Sequence, residues 1–270
     1  MSQTAQCINA RPDLNIPIQD LTLNIPIVEK KMRALLIRVA ADKTSDGGKW
    51  NGPVDSRTRQ FVYVPICEAY QCRQGLTRYF CEMESTLYSF NCLLPDRLKK
   101  TSMHLDPDFD YLTYGDREKR GAQIESKLTE GDLLVFYAAL KDTQGGTRLV
   151  YAIIGLFVID VIRRAVSLSP NEWHTNAHSR RLLTEPATDI VVQGKPGVSG
   201  RLKRCIPVGE WRDRAYRVRK DLLDIWGGLS IKNGYLQRSI NLPEFKEPER
   251  FYQWFLVQEE PLVQRNNLTL

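Results

Sequence analysis

Two apolar runs joined by a tight turn constrain this chain more than anything else in it. Gly131-Asp-Leu-Leu-Val-Phe-Tyr-Ala-Ala-Leu140 and Arg148-Leu-Val-Tyr-Ala-Ile-Ile-Gly-Leu-Phe-Val-Ile-Asp-Val-Ile162 flank Gly145-Gly146. Runs rich in β-branched and aromatic residues on either side of a glycine turn predict two long antiparallel strands. Their apolar content places them at the centre of the core sheet. The expected fold is therefore α+β, a mixed, mainly antiparallel β-sheet or partly open barrel with flanking helices. At 270 residues and 42% hydrophobic, the chain can bury one sizeable core.

The remaining elements are shorter. Arg33–Val39 reads as a buried strand and Phe61–Ile66 as a second, with Pro65 putting its end at an edge. Between Cys67 and Lys100 there is no sustained period, which predicts mixed loop and short helix. Asp221–Trp226 reads as a helical turn ended by Gly227-Gly228, and Glu247–Gln258 as a helix with Pro248 near its first position. Residues 1–31 carry an internal echo, Leu14-Asn-Ile-Pro-Ile18 and Leu23-Asn-Ile-Pro-Ile27, whose prolines exclude helix interior and central strand. They are expected to form an extended or partly disordered extension to a single domain over 32–270.

The longest apolar run, Leu149–Ile162, is shorter than the roughly 18 residues a membrane span needs, and the N-terminus lacks a signal-peptide pattern. No membrane association and a cytoplasmic location are the expectations. Cys67, Cys72, Cys81 and Cys92 are spaced too widely for the close ligand pairs of a structural zinc site, so they read as thiols.

Three stretches carry the chemistry. Met103–Asp116 holds Asp106, Asp108, Asp110, Asp116, His104 and three aromatics, with no Lys or Arg, in a chain of net charge +6. Turn formers punctuate it, which predicts a surface loop at the rim of the sheet. A solvated loop whose aspartates cap turns is the plain alternative. Ser167–Arg181 is polar and places His174 and His178 at i, i+4, one face of a helix if the segment is helical. No H-E-x-x-H accompanies them, so Asn176, His178 and Arg181 read as hydrogen-bonding groups, with a plain surface helix as the alternative. Residues 195–220 hold nine basic residues against Glu210 and Asp213, a local +7 that exceeds the whole-chain charge. Concentrated positive charge of this kind suits tracking of a phosphate backbone.

Acidic groups beside a nucleic-acid surface repel phosphate unless they have a task. One task is breaking an N-glycosidic bond after base flipping, where a carboxylate stabilises oxocarbenium charge or activates water. Another is holding a divalent cation for phosphodiester chemistry. The zinc-deaminase signature, the Walker A loop, the dinucleotide fingerprint and the G-x-S-x-G elbow are all absent. The reading assigns no cofactor and no metal ligand.

The strings Met32–Val39, Trp50–Pro53, His104–Phe109, Tyr114–Asp116, Gly131–Tyr137, Asn176–His178 and Gly234–Arg238 resemble the nucleotide modification associated domain family, third type, over about residues 32 to 267. A looser likeness is to barrels of the pseudouridine synthase and archaeosine transglycosylase type. The family resemblance implies a role in systems that make, read or remove modified bases in phage and bacterial DNA. It favours a DNA glycosylase that excises hypermodified bases, such as glucosylated hydroxymethylcytosine, as antiviral defence. In that reading Asp106 or Asp108 is the catalytic carboxylate, His104 or His178 protonates or polarises the leaving base, and Asp116 and Asn176 orient the site. Tyr114, Trp50, Asn51, Tyr235 and Gln237 would join Asn176 and His178 against the base. Arg181, Arg201, Lys203, Arg204, Arg212, Arg214, Arg217 and Arg238 would hold the DNA backbone. A non-catalytic reader of modified DNA and a metal-dependent nuclease remain as alternatives.

Overall fold

The computed structural model describes residues 31–44, 47–237 and 239–268. The extension expected before residue 31, and Arg238, lie outside the described residues. In chain order, β1 (Ala34–Arg38), β2 (Pro53–Val54) and β3 (Ile66–Cys67) precede two short helices, α1 (Glu84–Ser89) and α2 (Asp96–Lys99). Next come β4 (Met103–His104), β5 (Thr113–Asp116), α3 (Glu118–Lys127) and the long pair β6 (Leu133–Asp142) and β7 (Leu149–Arg164). Helix α4 (Ala177–Arg180) leads to β8 (Ile190–Gly194), β9 (Gly200–Pro207), β10 (Gly209–Arg212) and β11 (Ala215–Val218). Helices α5 (Lys220–Trp226) and α6 (Pro248–Val257) and strand β12 (Leu262–Val263) follow.

The hairpin read from the sequence is the axis of the sheet. Strands β6 and β7 pair antiparallel from Leu133↔Val158 to Lys141↔Leu149. On its other edge β6 takes β1 and then β2, both parallel. Strand β7 serves two partners in succession, β9 beside Ala152–Leu156 and β8 beside Ile159–Arg164, with irregularities in the register of each pairing. Strand β5 pairs antiparallel with β8, and β12 with β9. The result is an open, mainly antiparallel sheet with flanking helices, not a barrel.

Alternation along β1, β6 and β7 gives the sheet two apolar faces. One buries Leu35, Ile37, Leu134, Phe136 and Ile154 with Phe109 and Leu112 of the acidic stretch. The other buries Leu36, Val135, Tyr137 and Ile153 under Trp226 of α5 and Phe251 and Phe255 of α6. Each fully buried side chain of this size contributes on the order of 2 kcal/mol. Helix α5 stops at Gly227, whose φ of 75° is the left-handed cap expected from Gly227-Gly228.

Two local expectations are revised. Residues 61–65 are buried, but only the half-buried Ile66 lies in a strand, beyond an isolated bridge from Phe61 to Val54. Asn267 satisfies the backbone here, its Oδ1 accepting from Tyr63 N at 2.8 Å and its Nδ2 donating to Tyr63 O at 2.9 Å. A side-chain amide thus replaces a ladder neighbour. The acidic stretch is also not a surface loop, solvated or otherwise, since every residue from Met103 to Phe109 is buried and β4 and β5 take up its two ends. Phe109 anchors it, its ring edge-on to Tyr63, Phe136 and Phe157 at 5.4, 5.9 and 5.7 Å between centroids.

That anchor depends on Gly155, which sits opposite Phe136 in the β6–β7 register. A Cβ there would lie 2.6 Å from Phe109 Cε1 and 2.7 Å from Gly200 O. The backbone oxygen cannot swing aside, so Gly155→Ala should destabilise the protein by about 1–3 kcal/mol through overpacking. Urea denaturation of the variant checks this, and an unchanged midpoint would show that the loop and β9 yield freely.

Candidate active site

Short strand pairings assemble the site from distant parts of the chain. Pairing of β3 with β4 sets Ile66 opposite His104, and so brings Glu68 beside that histidine. Pairing of β5 with β8 runs from Thr113↔Gln193 to Asp116↔Ile190, which brings Asp189 to the same place. Asn176 caps α4 from an extended backbone (φ −147°, ψ 152°), its Oδ1 accepting from His178 N at 2.8 Å. The same break separates the two histidines expected on one helical face. His174 is exposed against Tyr111, whereas His178 turns into the protein.

Asp106 stands at the centre. Its Oδ1 accepts from Gly115 N at 2.8 Å and Asn176 Nδ2 at 3.0 Å. Its Oδ2 faces His104 Nε2 at 3.7 Å and His178 Nε2 at 3.6 Å. The two rings meet edge to face, with centroids 5.0 Å apart. Behind them His104 Nδ1 bonds Glu68 Oε2 and His178 Nδ1 bonds Asp189 Oδ1, both at 2.6 Å. Arg181 bridges these carboxylates, reaching Glu68 at 3.1 Å and Asp189 at 3.4 Å. Tyr70 covers its guanidinium at 4.5 Å.

A cavity of about 140 Å³ opens in front, lined by His104, Asp106 and His178 together with Arg38, Tyr114 and Arg120. Asp116 also lines it but is committed to its neighbours, accepting from Tyr114 Oη at 2.7 Å and Arg120 Nε at 2.9 Å. Gly115 is the close-approach residue of the wall. A Cβ there would lie 2.3 Å from His178 Cδ2 and 2.7 Å from Asn176 Oδ1.

Electrostatics differ between the two rings. Burial raises the Glu68 carboxyl, but His104 and Arg181 outweigh it and hold the group at about 2. At His104 burial opposes the charged form, and the Asp106 and Glu68 carboxylates more than offset it, so the pKa is raised. At His178 burial prevails over the Asp189 hydrogen bond, helped by the charges of His104 and Arg181, and the pKa is lowered.

The structure brings together His104, Asp106, Tyr114, Asp116, Asn176, His178 and Arg181 of the residues singled out in the sequence. Asp108 points elsewhere. It is fully buried, paired with Arg180 Nη2 at 2.5 Å and Asn266 Nδ2 at 2.8 Å. Trp50 packs against the apolar cluster around α1 and α2, and Asn51 donates to Ala139 O at 2.8 Å, so neither lines the cavity. Arg201 is a core residue with its guanidinium on the carbonyls of Phe61 and Leu202, not a surface cation. Lys203 and Arg214 are exposed, while Arg204 pairs with Glu260 and Arg212 with Glu210.

Arg217 lies over the ring of Tyr235 at 5.4 Å, and Gln237 is exposed nearby in the chain. Arg38 connects the cavity to this side of the protein. Its guanidinium sits 5.4 Å from the Tyr151 ring, which stacks at 4.2 Å on Tyr216 of β11. Glu68, Asp189, Arg38 and Gly115 were not assigned from the sequence. Two are single carboxylates in irregular text, and only strand pairing reveals their place.

The fold and the cavity define an α+β domain that carries a buried carboxylate between two carboxylate-backed imidazoles. The chain belongs to the nucleotide modification associated domain 3 family, whose model matches residues 33–223. Membership ties it to nucleotide modification and points to nucleic acid as its partner. No curated protein and no solved structure matches it. Among the described residues, no helix is long and apolar enough to cross a membrane.

Proposed function

We propose that this protein is a DNA glycosylase that hydrolyses the N-glycosidic bond of hypermodified bases, with glucosylated hydroxymethylcytosine in phage DNA as the type of substrate. The observation that carries the reading is Asp106, whose Oδ1 is tied down and whose Oδ2 faces a cavity between two imidazole Nε2 atoms. A carboxylate so placed activates water or stabilises the oxocarbenium charge on the sugar, and an imidazole delivers the proton that the departing base needs. The water oxygen bonds to C1′, the glycosidic bond breaks, and the base leaves with the electron pair and one proton. The resulting abasic sites would damage an invading genome.

Incubation with glucosylated and plain DNA, followed by mass spectrometry of released bases and alkali treatment, tests the reading. Free modified base and alkali-labile sites are expected from the glucosylated DNA alone. Tight binding without release would instead identify a reader, and breaks without alkali a nuclease. Gly115→Ala should lower base release by about 10²-fold, because displacement of His178 by even 1 Å misaligns the reacting groups. Release measured per folded molecule checks this, and full activity would remove His178 from the reaction.

A further inference from the structure

We infer that His104, Asp106 and His178 form a binding site for a divalent transition-metal ion. The inference rests on the glycosidic reading only for what the ion would do, not for its binding. His104 Nε2, His178 Nε2 and Asp106 Oδ2 are the ligand atoms, and among the described residues this is the one group of its kind.

The spacing argues against a simple hydrogen-bonded cluster. Asp106 Oδ2 is 3.7 and 3.6 Å from the two Nε2 atoms, too far for good hydrogen bonds. Ligands about 2.1 Å from an ion at tetrahedral angles stand about 3.4 Å apart, close to what is seen. The three atoms surround a space rather than touching one another.

What lies behind them is equally informative. Each Nδ1 bonds a carboxylate at 2.6 Å, Glu68 for His104 and Asp189 for His178. Such partners accept a hydrogen bond from the Nδ1–H and leave the lone pair on Nε2, the usual arrangement behind metal-bound histidine. Gly115 N and Asn176 occupy the other Asp106 oxygen.

Two imidazoles and one carboxylate select first-row ions such as Zn²⁺, Mn²⁺, Fe²⁺ or Co²⁺ over Mg²⁺ and Ca²⁺, which prefer all-oxygen sites. Three protein ligands facing an open cavity leave room for water or substrate. In the hydrolytic reading the ion would activate the attacking water, and with both Nε2 atoms held as ligands the proton for the departing base would come from that water rather than from an imidazole.

Isothermal titration of the metal-stripped full chain with Zn²⁺, Mn²⁺, Co²⁺ and Mg²⁺ tests the site. One equivalent of a first-row ion should bind at micromolar affinity or better, with weak Mg²⁺ binding, and Co²⁺ should show visible ligand-field bands. His178→Ala should abolish binding, and Glu68→Gln should weaken it about 10- to 100-fold. The Co²⁺ spectrum of the unmutated protein reports imidazole ligation even if a variant fails to fold. No stoichiometric binding to the unmutated chain, or binding that His178→Ala leaves unchanged, overturns the inference. Binding without base release sinks the glycosidic reading and leaves the site standing. Base release that persists in chelator, from a protein that binds no ion, does the reverse.

Discussion

Asp106→Asn is expected to reduce base release by about 10³-fold while the protein stays folded. Asparagine keeps an Oδ1 acceptor for Gly115 N and Asn176 Nδ2, which hold the native side chain at 2.8 and 3.0 Å. The variant loses the charged oxygen that faces His104 and His178. The loss should therefore appear in turnover, with circular dichroism and the urea midpoint close to those of the unmutated chain. Quantifying free base by mass spectrometry over a time course measures it. A reduction smaller than tenfold would remove Asp106 from the reaction.

The largest effect on stability is expected from Arg180→Met, at about 3–5 kcal/mol. Arg180 is buried and its Nη2 lies 2.5 Å from Asp108, which is completely buried. Methionine fills part of the volume but leaves the carboxylate without its guanidinium. Burial already pushes the Asp108 carboxyl up, ahead of the opposing pulls of Arg180 and Asn266. Losing Arg180 adds to that direction. Chemical denaturation gives the value, and a loss under 1 kcal/mol would show that Asp108 is neutral in the folded state. Together the two variants separate neighbouring aspartates that the sequence left as equals, one facing the cavity and one bonded into the core.

Much of the scaffold was legible because its signals are local. The apolar runs around Gly145-Gly146, the glycine stop after Trp226 and Pro248 at the start of the last helix each act through their own backbone. Open sheet rather than barrel could not be decided that way, since closure depends on which edges pair. The acidic stretch stood out by composition, yet its burial was hidden. Phe109 is its sole phenylalanine, and nothing local says that it enters the core opposite Gly155. His104, Asp106 and His178 were singled out, but their convergence rests on pairings of two to five residues. Glu68 and Asp189 had no signal of their own. The basic count over 195–220 was real, but it could not reveal that Arg201 faces inward, because strand alternation in β9 is set by β7 and β12.

Asn266 carries a consequence for how the protein is made. Its side chain holds Asp108 at 2.8 Å and Asp110 at 2.7 Å, and its Oδ1 accepts from Phe109 N at 2.8 Å. It lies 158 positions after Asp108 in the chain. At ribosomal speed that separation is on the order of ten seconds. Throughout that interval the nascent acidic stretch lacks its clasp, so the order of translation delays completion of the site's supporting loop until residue 266 has emerged.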